Sequence, residues 1–141
     1  MNRILNLLAI SSALLLGVNA LAAPAPLKYS IKDSSPETLM TAPVANAIWL
    51  AALPSKAPKH YPIKKYGYLS EVNGGFDESK TCVIVARAMV VPTSGKNFIY
   101  DPKKTAVTIG TKAAASAEQC SELAKGKLKE AVEAVVSSLN S

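Results

Sequence analysis

Two cysteines, one histidine and a few carboxylates are the side chains here that could carry covalent or acid–base chemistry. Cys82 and Cys120 make an even pair without close spacing, and His60 alone is too little to complete a metal site. In an oxidising compartment the pair reads as one disulfide. Closing so long a loop is worth about 4 kcal/mol in chain-entropy terms. His60 lies in a proline-rich connector with no local acid or nucleophile to complete a relay. Asp77 and Glu78 are neighbours in a polar turn, where carboxylates stay solvated instead of facing each other across a cleft. Asp33, Glu37, Glu71 and Asp101 are scattered without calcium-loop spacing.

Two further patterns fail on their missing partners. Gly95-Lys96 lacks the glycine that a phosphate-binding loop needs at position 90, which is valine, and Asn97 replaces the hydroxyl residue. Tyr61 and Lys65 have the spacing of a dehydrogenase pair, but no glycine-rich strand-to-helix turn precedes them. The expectation is a non-enzymatic protein with no cofactor and no metal. The competing reading is a small secreted hydrolase or toxin-like effector, with acids drawn from Glu71, Asp77 or Glu78 and His60 as partner.

Binding chemistry is better represented. Lys56, Lys59, Lys64 and Lys65 interleave with Tyr61, Tyr66 and Tyr68. Cations beside aromatic faces suit anionic lipid surfaces or glycans. Lys96, Lys103 and Lys104 with Tyr100 form a second basic cluster around a long loop, Thr93–Lys104. The expected function is a binding or envelope-associated module. Its partner would be an anionic envelope component or another exported protein.

These residues need a scaffold, and the chain suggests one. Leu27–Lys32 alternates as a short strand. Ser34 and Glu37 have capping-box spacing, but Pro43 would break a long helix, so the main helix is placed at Pro43–Leu53. Leu39, Val44, Ala47, Ile48 and Ala51 are expected inward, with Trp49 near the edge. Ile63–Val72 reads as a strand ending in an Asn73-Gly74-Gly75 turn. Thr81–Val91 is apolar on both faces, apart from Arg87, as in a strand covered on both sides. Thr105–Thr111 alternates, with Val107 and Ile109 expected inward. A second capping box, Ser116 to Gln119, opens a helix running to about Leu139. An antiparallel pair of the last two strands would bring Cys120, one turn into this helix, over Cys82. The predicted fold is α+β: an antiparallel sheet of three to four strands against two helices, with one disulfide. Double-stranded RNA-binding domains share this element order, but Ala113-Ala114-Ala115-Ser116 offers no phosphate contacts where that helix begins, so no nucleic acid is expected.

Residues 1–22 read as an export signal. Arg3 precedes an apolar stretch, and Ala20-Leu21-Ala22 supplies small residues for cleavage between Ala22 and Ala23. Residues 23–141 then form a single small domain. Losing Arg3 leaves 15 basic against 10 acidic residues, a net charge near +5. Nothing after the signal is apolar enough to span a bilayer. No Asn-x-Ser/Thr sequon occurs, which favours a bacterial exported protein, periplasmic or secreted.

Overall fold

A computed structural model describes residues 28–140. The proposed signal and its Ala22–Ala23 junction lie outside them. The elements run β1 (Ile31–Asp33), α1 (Ala42–Ala52), β2 (Tyr66–Phe76), β3 (Cys82–Ser94), β4 (Asn97–Phe98), β5 (Lys104–Lys112) and α2 (Ala117–Ser137). Strands β2, β3 and β5 form an antiparallel core sheet, in which Glu71 pairs with Arg87 and Arg87 with Val107. The α+β class is as predicted, but the sheet is mixed: β1 pairs parallel to β2, with Ile31 opposite Tyr68. The short β4 folds back on the end of β3 as a hairpin whose Gly95 adopts φ +61°.

Side-chain size decides which sheet face the helices cover. The even-numbered face of β3 carries Cys82, Ile84, Ala86, Ala88 and Val90, all buried. Ala106, Thr108 and Gly110 continue that face on β5. Helix α2 lies on it with Ala124, Leu128, Ala131, Val132 and Val135 buried. The approach is close: a Cβ on Gly110 would meet Lys127 Cε at 2.7 Å and Leu123 Cδ1 at 3.1 Å. Thr108 Oγ1 donates to the Lys127 carbonyl at 2.6 Å, fastening β5 to α2. Cys82 and Cys120 are disulfide-bonded, with Cα atoms 5.6 Å apart and a sequence separation of 38. Ser116 caps α2 through the expected box, its hydroxyl accepting from Gln119 N and Gln119 Oε1 accepting from Ser116 N.

Several expectations are corrected. Val107 and Ile109 point away from the helices and are 49% and 65% exposed. Their strand turns its smaller residues inward because α2 leaves no room for larger ones. Central strand β3 is therefore covered by helices on one face only. Helix α1 is rotated from the expected setting: Trp49 and Ala45 are fully buried, while Ala47 and Ala51 are exposed. The Asn73-Gly74-Gly75 stretch does not turn but continues β2. Gly74, at φ +134°, lets the strands pair there, since a Cβ would fall 2.0 Å from the Val83 carbonyl oxygen. The turn follows at Asp77–Lys80. The Ser34–Glu37 capping box does not form either. Ser34 Oγ donates to the Ser70 carbonyl and Ser35 Oγ to Asp33 Oδ1, and α1 starts at Ala42 with Pro43 in its first turn.

Candidate functional site

The residues of the hydrolytic reading are not gathered together. His60 is exposed in the connector before β2, and Asp77 lies in the turn after it. The strand between them has 11 residues, a length of about 35 Å at 3.2–3.4 Å per residue. Asp77 organises its own turn: one carboxylate oxygen accepts from Ser79 N, Thr81 N and Ser79 Oγ. Those hydrogen bonds hold the carboxyl below its ordinary pKa. Glu78 is exposed, and Glu71 faces Arg87 on the sheet. Among the described residues no group of three or more His, Cys, Asp or Glu side chains could hold a metal ion.

The basic connector divides into surface and core. Lys56, Lys59, Lys64 and Lys65 are exposed, and none makes an ion pair among the described residues. Tyr61 and Tyr66 are half-buried and pack edge to face, with ring centroids 5.2 Å apart. Tyr68 does not belong to this surface. It is wholly buried between Tyr29 and Trp49, because even-numbered residues of β2 face the helices. Burial, with a smaller contribution from Tyr29, pushes its phenol up to about 12.

Helix α1, which leads into this connector, contains no charged residue. Its rotation leaves Leu50 56% exposed. Val44, Ile48 and Ala51 line a groove of about 770 Å³ against Val136, Lys129 and Glu133 of α2. Lys129 and Glu133 pair loosely at 3.8 Å. Among the described residues no helix is long and apolar enough to cross a membrane.

The second basic cluster is not a single tip. Lys96 is exposed at the β3–β4 turn, Lys103 is paired with Asp101, and Lys104 is half-buried at the start of β5. Much of the expected long loop is hairpin. Phe98 folds over Leu69, Met89 and Val91, leaving no room for a side chain on Gly67, whose Cβ would fall 2.5 Å from Phe98 Cε1. Tyr100 lies 63% exposed on the sheet face away from the helices, and its hydroxyl accepts from Arg87 Nη1 at 3.0 Å. Arg87, visible in the sequence only as an interruption of an apolar strand, is the polar centre of that face. Val107 and Ile109 stand on the same open face.

Comparison with family models, with curated proteins and with solved structures gave no match for this chain.

Proposed function

We propose that this is an exported, non-enzymatic binding protein of a bacterial envelope, periplasmic or secreted, that holds an anionic envelope component through α1 and the connector behind it. One observation carries the reading: an uncharged helix with an exposed apolar flank leads directly into four exposed lysines that make no ion pair among the described residues. An apolar helix flank beside exposed cations fits an anionic, amphiphilic surface, where buried area and headgroup attraction add. Near such a surface each lysine contributes about 1 kcal/mol, so four of them dominate the salt dependence of binding. The disulfide suits an oxidising compartment.

The test is flotation of the oxidised protein with vesicles of phosphatidylglycerol and phosphatidylcholine. Retention on the anionic vesicles should fall steeply with salt. It should also drop at least tenfold when Lys56, Lys59, Lys64 and Lys65 are all changed to Gln. Equal retention of this variant, or no preference for the anionic vesicles, would discard the reading.

A further inference from the structure

The uncovered sheet face holds a second feature, independent of the lysine connector. We propose that the hollow around Arg87 is a binding site for a carboxylate-bearing sugar ring, one unit of an acidic polysaccharide. Lys32, Leu69, Glu71, Arg87, Phe98 and Tyr100 line it, and its volume is about 410 Å³. That lies within the roughly 300–1,000 Å³ of small-ligand pockets.

The floor is apolar and fixed. Leu69 is buried and Phe98 is pressed against it and against the bare backbone of Gly67. Above the floor stand the polar groups of Lys32, Ser34, Glu71, Arg87 and Tyr100. Lys32 makes no ion pair among the described residues. Arg87 uses Nη1 for both of its hydrogen bonds, a good one to Tyr100 and a long one of 3.5 Å to Glu71. A guanidinium has five N–H donors in a rigid fork, so donors beyond those on Nη1 remain for a ligand in the hollow that Arg87 lines. Its side chain is 40% exposed and its position is set by the sheet.

Two cations therefore surround one carboxylate. Asp33 lies on the other face of the sheet, beside Ser70, where its oxygens accept from Ser35 N, Ser35 Oγ and Ser70 Oγ. Glu71 narrows the ligand class. Its oxygens accept from Asn73 Nδ2 and Arg87, and each keeps lone pairs for a further donor. A dianion such as a phosphate monoester would be repelled by Glu71. A singly charged ligand that also offers hydroxyl donors would be held by it. The aromatic groups supply the third criterion: Phe98 and the exposed ring of Tyr100 offer flat apolar faces. A hexuronate ring has one carboxylate for Arg87 and Lys32, hydroxyls for Glu71 and Tyr100, and an apolar C–H face for the aromatic rings.

The experiment titrates the oxidised, isotope-labelled protein with tetragalacturonate, followed by amide and side-chain NMR shifts. Maltotetraose serves as the neutral probe, and an N-acetylated dipeptide with a free C-terminal carboxylate as the peptide probe. Saturable shifts centred on Arg87, Phe98 and Tyr100, seen with tetragalacturonate alone, are the expected result. Arg87→Gln should weaken binding about tenfold or more, as loss of a charged hydrogen bond does. Tyr100→Ala, at an exposed position that the core does not need, should weaken it several-fold. Vesicle retention is read on the connector lysines and tetragalacturonate binding on Arg87→Gln and Tyr100→Ala, so failure on vesicles and failure here are separate outcomes. Equal affinity for maltotetraose, equal affinity for the dipeptide, no saturable binding, or shifts centred on Lys56–Lys65 would each overturn the proposal.

Discussion

Tyr68 combines a core position with an unmet polar group. It is fully buried, and its hydroxyl has no hydrogen-bond partner among the described residues. Its phenol is pushed up to about 12, above the value of 10 of the unfolded chain. The unfolded chain therefore releases this proton first as pH rises. The contribution to stability is complete below pH 10 and is lost between pH 10 and about 12. Tyr68→Phe should remove that alkaline slope from thermal melts followed across pH 9 to 12. It should also leave Tm at neutral pH unchanged or slightly higher, because no hydrogen bond is lost. A loss above about 1 kcal/mol at neutral pH would reveal a partner for the hydroxyl. In the sequence Tyr68 groups with Tyr61 and Tyr66 in a candidate binding surface. What moved it inward is the parity of β2, which no local composition announces. Arg87 is the converse case: a charge within an apolar strand signals an open face only once both neighbouring strands are in register.

At the scale of elements, α2 is the best-specified piece. Its capping box, its apolar stripe and its cysteine were all legible, because charged and apolar residues alternate with helical period. Ser116→Ala should cost about 1 kcal/mol by removing the cap, measured by denaturant unfolding at constant m-value. An unchanged midpoint would mean that the cap contributes nothing. Helix α1 offered no such guide. With no charged residue in its 11 positions, its apolar period has no polar side to orient it, and Trp49 fell inside instead of at the edge. Strand β5 misled for another reason. Alternation correctly sorted its residues onto two faces but not which face was inner. Bulk alone points Val107 and Ile109 inward, whereas close helix packing demands the small set, Ala106, Thr108 and Gly110. Strand β1 is only three residues long and joined to β2 by an Asp33–Ser35–Ser70 network that a linear reading of scattered polar residues does not disclose.

For the whole molecule, one sheet face is sealed by two helices and the other is left to a short hairpin. A core built this way is modest, which gives the crosslink unusual weight. Loss of the Cys82–Cys120 bond should lower stability by about 4 kcal/mol in chain-entropy terms, read from the unfolding of a Cys82→Ala/Cys120→Ala variant against the oxidised protein. A shift below about 1 kcal/mol would show that the reduced ensemble is already as constrained. The same bond draws a covalent ring around β3, β4 and β5. Arg87, Phe98 and Tyr100 lie inside the ring, whereas Lys32 and Glu71 lie outside it. The exposed Lys96 and Lys103, where a trypsin-like enzyme would cut, also lie inside. A nick at either lysine would leave both pieces tethered through sulfur, running as one species on a gel until a reductant parts them.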